Sequence, residues 1–186
     1  MIESVSIDFS LSNIWQSWYK FRRGKEHTAE YEIFSYYLEK NLAQLSRDLN
    51  NGSYTHGPYR YRIVTDNKRR EIAVTSIRDR VVHRLVYEYL VPIFDPTFIY
   101  DAWSCRKNKG LIAAIECTQQ FLHRYPSSYV WRSDIRKFFD SVDTDILRNL
   151  LHRKIIDPRA RWLLSMIIDS YPSPIVAAAP TERERE

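Results

Sequence analysis

Glycine is scarce in this chain, with 4 in 186 residues. That excludes a Gly-rich phosphate loop and argues against a turn-dense β-sandwich. Cysteine is scarcer still. Cys105 and Cys117 lie 12 apart, with no CxxC, so neither a zinc set nor a disulfide framework is present. Both read as reduced thiols, and a cytoplasmic chain is the expectation. No apolar run reaches 18 residues, which excludes a membrane-spanning helix, and no basic start leads into an apolar stretch as in a signal peptide. The five histidines (27, 56, 83, 123 and 152) show no metal-ligand spacing such as HxxxH. No Ser/His/Asp or Cys/His arrangement marks a nucleophile.

What is abundant is basic and aromatic. The formal charge of +5 and 13 tyrosines with 5 tryptophans suit a polyanionic partner such as nucleic acid, where cations meet phosphates and rings stack on bases. The length fits one domain with a real core, and 44% hydrophobic residues fits a globular chain.

The periodicity predicts an α+β, helix-rich chain. A short helix is expected within 1–27. From Thr28 to Leu49, apolar residues at Ile33, Phe34, Tyr37, Leu38, Leu42, Leu45 and Leu49 are helically spaced, and Asn50-Asn51-Gly52 stops the run. Residues 59–64 and 70–74 alternate as two strands around a turn at 66–68, which makes a hairpin with a basic tip. Ser76 and Asp79 are spaced as a capping box for a helix carrying Ile77, Val81, Val82, Leu85, Val86, Tyr89 and Leu90. Further helices are expected over 111–125, 145–153 and from Pro158 to about Ser170. Residues 128–135 read as a strand. The tail 171–186 has little to bury and is expected to be disordered.

Four constellations carry chemistry. Asp134, delivered by a strand beside Arg136, Lys137 and two rings, suits a metal-binding carboxylate, with the Ile135 carbonyl as a second oxygen. Its structural alternative is an ion pair with Arg136 or Lys137, or the cap of a turn. Asp140, Asp143 and Asp145 fit better as turn and helix N-terminal acids. Lys68, Arg69 and Arg70 at the hairpin tip suit a triphosphate or strand backbone, or else a charged edge that blunts pairing. Asp79 and His83 share a helix face and fit a cap with a polar pair better than a catalytic dyad. Arg106-Lys107-Asn108-Lys109-Gly110 before a helix suits phosphate contact, or a solvated loop.

In order, 68–72, Ile77-Arg78-Asp79-Arg80-Val81-Val82-His83, Pro92-Ile93-Phe94-Asp95, Phe98-Ile99-Tyr100-Asp101, 106–110 and Asp134 through Asp143 resemble the N-terminal half of bacterial reverse transcriptases. The likeness is to the group II intron, retron and diversity-generating retroelement branch, over residues 55–170. It implies right-hand polymerase fingers with part of the palm. The expected divisions are an N-terminal helical extension at 1–54, fingers at 55–125, a partial palm at 126–170 and a divergent tail at 171–186. Asp134 would be the first catalytic metal ligand, holding Mg²⁺ or alternatively Mn²⁺. Phe139 would exclude a 2′-hydroxyl and so select dNTPs. Lys68 and Arg70 would grip the triphosphate. Arg78, Arg106, Lys107, Lys109 and Gly110 would contact nucleic acid. The implied partners are RNA template, DNA primer and dNTP. The family's aromatic-x-Asp-Asp motif has no counterpart, because no two aspartates are adjacent. The expectation is therefore a truncated or split polymerase, inactive alone, with a second chain completing the palm. Two other readings stand beside it: a non-catalytic RNA- or ssDNA-binding module of the same fold, and a basic helical interaction protein. The last is favoured if no hairpin precedes the 76–91 helix.

Overall fold

A computed structural model of the full chain describes residues 6–25, 28–65, 69–135 and 138–171. The chain is α+β and helix-rich, with eight α-helices and one two-stranded antiparallel sheet among the described residues. It divides into two compact units, residues 1–89 with 139–186, and residues 90–138. None of the described helices is long and apolar enough to cross a membrane.

The first unit holds the core. Helix α1 (Leu11–Arg22) starts at Ser10, whose Oγ accepts the Asn13 N–H at 3.3 Å. Side-chain caps of this kind satisfy donors that a helix start leaves unpaired. The run expected as one helix from 28 to 49 is two, α2 (Ala29–Tyr36) and α3 (Leu38–Asn50). Tyr37 leaves the helical region, and Asn41 Nδ2 takes the Phe34 carbonyl at 3.0 Å in place of a helical amide. A one-residue break rotates the later apolar stripe, so α3 buries Leu42, Leu45 and Leu49 while α2 buries Tyr31. Trp18 lies among Tyr31, Phe34 and Phe21, with ring centroids 5.5, 5.3 and 5.8 Å away. Gly52 follows α3 at φ +70°, the left-handed geometry that releases a helix end.

The hairpin is present. Strands β1 (Arg60–Thr65) and β2 (Arg69–Val74) pair from Arg60↔Val74 to Thr65↔Arg69. Every residue of β1 is exposed, so neither face is a core face. After Thr75 and Ser76 comes α4 (Ile77–Phe94), whose Ile77, Val81, Val82, Leu85, Val86 and Tyr89 are buried. In the same unit, α6 (Phe138–Ser141) begins at the unit boundary, and α7 (Thr144–Lys154) packs against α8 (Pro158–Ser170). Asp157 caps α8 by accepting the Arg159 N–H at 2.9 Å. Its other oxygen accepts the Ile7 N–H at 2.6 Å, which ties the N-terminal segment to α8.

In the second unit, a 3-10 turn at Asp95–Thr97 follows α4, and a loop leads to α5 (Leu111–Arg124). No residue of α5 is buried. Residues 128–135 require a correction. They were expected as a palm strand, but they form no ladder, and the sheet among the described residues stays two-stranded. An extended segment becomes a strand only through a partner's hydrogen bonds. Here Tyr129, Val130 and Trp131 are exposed and unmatched by any described strand.

Candidate nucleic-acid interface

The expected site residues fall into separate groups. Asp134 and Ile135 lie in the second unit, on the exposed extended segment and not at the end of a strand. Among the described residues, no three His, Cys, Asp or Glu side chains converge as a metal site. Phe139 belongs to the first unit, in the short helix α6, and its ring is exposed. Asp143 serves as a helix cap, its Oδ1 accepting the Asp145 and Ile146 N–H groups at 2.9 Å each.

On the hairpin, Arg70 sits opposite Val64, and Lys68 lies outside the described residues. The strand alternation places positions 60, 62 and 64 on one face with 70, 72 and 74. That face therefore carries Arg60, Arg62 and Arg70 at its register positions. The other face carries Tyr61, Ile63 and Arg69. Arg60 is tied to Glu30 of α2, and the other Glu30 oxygen accepts the Ile77 N–H at 2.9 Å. Partial burial of Glu30 opposes its charge, but these two donors outweigh it and hold the carboxyl below its ordinary range. Glu30 thus pins the open end of the hairpin to the start of α4.

Arg78 is engaged within the fold. It bonds Asp48 at 2.9 Å and the Thr55 carbonyl at 3.1 Å, and it lies over the Tyr54 ring at 4.6 Å. Beside it stands a buried polar knot. Asp79 accepts from the Tyr54 hydroxyl at 2.8 Å, the Gly57 N–H at 3.2 Å and the Ser76 hydroxyl at 2.7 Å. Ser76 Oγ accepts the Asp79 N–H at 3.2 Å. The capping box is half made: Ser76 caps as expected, and the Asp79 carboxylate turns inward to the 54–57 loop. Asp79 makes no hydrogen bond to His83; the Nε2 of His83 instead meets that of His56 at 3.1 Å.

In the second unit, Arg106 organises its own loop. Its guanidinium bonds Asp95 Oδ1 at 2.8 Å, Asp95 O at 3.1 Å and the carbonyls of Ile99 and Ala102 at 3.1 and 3.3 Å. That donor pair holds the Asp95 carboxyl below its ordinary range. Lys109 Nζ stands 3.7 Å from the Tyr100 ring centroid and 4.3 Å from that of Trp103, and donates to the Tyr100 carbonyl. The flanking Cys105 and Asn108 hold φ of 59° each, in the left-handed region. Lys107 between them is exposed, and Gly110 precedes α5 as its N-cap. Of this motif, Arg106 builds the loop, Lys109 is embraced by rings, and Lys107 is the cation presented outward. The contacts of Arg78, Arg106 and Lys109 were not legible in the sequence, where each appears only as one more cation.

No family model matches the chain, and no curated protein sequence matches it.

Proposed function

We propose that the chain is the fingers and part of the palm of an RNA-directed DNA polymerase, inactive on its own, acting in the cytoplasm on RNA template, DNA primer and dNTP. The observation that carries this reading is an arginine-bearing antiparallel hairpin running through Thr75 and Ser76 directly into α4. It lies where the ordered motifs resembling reverse transcriptases require one. The absence of that hairpin would have favoured a basic helical interaction protein, and that support is missing. The exposed Arg60, Arg62 and Arg69 of the hairpin and the outward Lys107 supply the phosphate contacts, which position nucleic acid without reading its sequence.

Mg²⁺ or Mn²⁺ is the ion this reading implies, and the described residues do not make a full site for it. Asp134 and the Ile135 carbonyl are two oxygens, and no group of three His, Cys, Asp or Glu side chains forms a metal site among the described residues. Two-metal nucleotidyl transfer needs further carboxylates. A second chain bringing adjacent aspartates would supply them. The test is primer extension on an RNA template with Mg²⁺. No extension by the isolated chain is expected, and extension at a family-like rate would overturn the requirement for a companion. The exposed Asp134, outside any described group of three ligating side chains, also favours one second reading, a non-catalytic RNA- or ssDNA-binding module. On that reading no companion chain restores synthesis, while salt-sensitive binding remains.

A further inference from the structure

We propose that His56 and His83 form a proton-operated clasp on the root of the β-hairpin. The two Nε2 atoms face each other at 3.1 Å, with ring planes 17° apart and centroids 5.2 Å apart. At that separation one nitrogen donates and the other accepts. The assignment is fixed by the far side of His56, whose Nδ1 lies 2.6 Å from the Gly57 carbonyl. A carbonyl only accepts, so Nδ1 carries the proton. In the neutral ring, Nε2 of His56 is then the bare acceptor, and His83 Nε2–H donates to it.

The consequence is an asymmetric response to protons. A first proton on Nδ1 of His83 leaves the N–H···N bond intact. A second must land on Nε2 of His56, which turns the acceptor into a donor. Two N–H groups of two cations then face each other, and the clasp opens. The groups facing the pair are few. Asp79 and Arg80 act on His83 from α4, in opposite directions, and burial and the second imidazole hold His83 below the ordinary histidine range. From the 54–59 loop, the Tyr59 ring lies 5.1 Å from His56, and Tyr54 reaches Asp79. From the end of α8, Ser170 Oγ lies 3.3 Å from the Tyr59 hydroxyl, and the Tyr171 ring meets Tyr59 edge-on at 5.4 Å. Tyr59 immediately precedes β1. The clasp therefore links α4, the hairpin root and the end of α8 within one unit.

Hydrogen exchange of residues 54–65, followed from pH 7.5 down to about pH 4 and corrected for intrinsic rates, tests the clasp on the full chain. Protection is expected to fall about tenfold in the native protein, and not to fall in His56→Phe, which keeps a ring on Tyr59 but cannot titrate. An equal fall in both proteins, or none in the native one, overturns the proposal. Imidazole NMR titration of the native protein supplies the arm that needs no variant. Its neutral limb should show His56 as the Nδ1–H tautomer and His83 as the Nε2–H tautomer, and the reverse pair overturns the proposal.

Discussion

The Tyr54 hydroxyl donates to the Asp79 carboxylate at 2.8 Å, and both side chains are buried. Burial, and then the adjacent carboxylate, hold the phenol protonated far above its ordinary range. The bond joins the loop after α3 to the first turn of α4, the platform from which the hairpin emerges. Tyr54→Phe leaves Asp79 short of one donor and should cost about 2 kcal/mol in urea unfolding. Asp79→Ala strands three donors and the helix start together, and a loss of about 3–5 kcal/mol is expected. Equal costs for the two changes would mean that the Gly57 and Ser76 bonds contribute nothing.

Gly57 sits against the same carboxylate. A Cβ at this position would lie 2.9 Å from Asp79 Oδ2, an atom that two donors hold in place. Gly57→Ala should therefore destabilise the chain by about 1–3 kcal/mol. Asp79→Ala combined with Gly57→Ala should cost less than the sum of the two, because truncating Asp79 removes the atom that the new Cβ meets. Strict additivity in a double-mutant cycle would show that the crowding is absorbed elsewhere.

Much of the architecture was legible because local rules and packing agree. The alternation at 59–64 and 70–74 gave the hairpin. Asp143 read as a helix-start acid and Pro158 as the start of a helix, and the stripe from Ile77 to Tyr89 is the buried face of α4. Tyr37 was not legible, because nothing in its type forbids a helix; the Asn41 side chain taking the Phe34 carbonyl accompanies the break. Residues 128–135 carry strand-like residues, but strand formation depends on a partner, which local sequence does not report. The His56–His83 contact joins residues 27 apart and leaves no periodic trace. Arg106 and Lys107 are adjacent and alike in charge, and only the fold separates the loop-builder from the exposed cation.

That separation is testable. Arg106→Lys keeps the charge but loses the forked contacts to Asp95, Ile99 and Ala102. It should speed hydrogen exchange over 95–110. Lys107→Ala should leave exchange unchanged and lower the salt dependence of RNA binding by about one phosphate contact. The reverse pattern would exchange the two roles.

Acid should loosen the ties that carboxylates make. The Asp95 carboxyl is held low by the Arg106 hydrogen bond. The Glu30 carboxyl is held low as its bonds to Ile77 and Arg60 overcome partial burial. Each folded-state value lies below the unfolded one, so each contribution is present above the ordinary carboxylate range and is lost as pH falls through the folded value. In a His56→Phe background burial still holds His83 below the ordinary histidine range, so midpoints of urea unfolding should ease down as pH falls through that range and then drop more steeply below about pH 4. Glu30→Gln should flatten the acid limb. An unchanged limb would remove Glu30 from the tie between hairpin and α4.

Asp134 decides between the two functional readings. It is exposed, on a segment with no ladder, so Asp134→Ala should change stability by less than about 0.5 kcal/mol. Its effect on RNA binding should also be small, since phosphate contacts run through cations and need no metal. Primer extension is the discriminating readout. With a companion chain that supplies adjacent aspartates, the native chain should synthesise DNA and the Asp134→Ala chain should not, while both bind template alike. If the substitution leaves synthesis intact in that complex, Asp134 is not the metal ligand. If the native chain binds RNA yet synthesises nothing with any such companion, the binding-module reading stands.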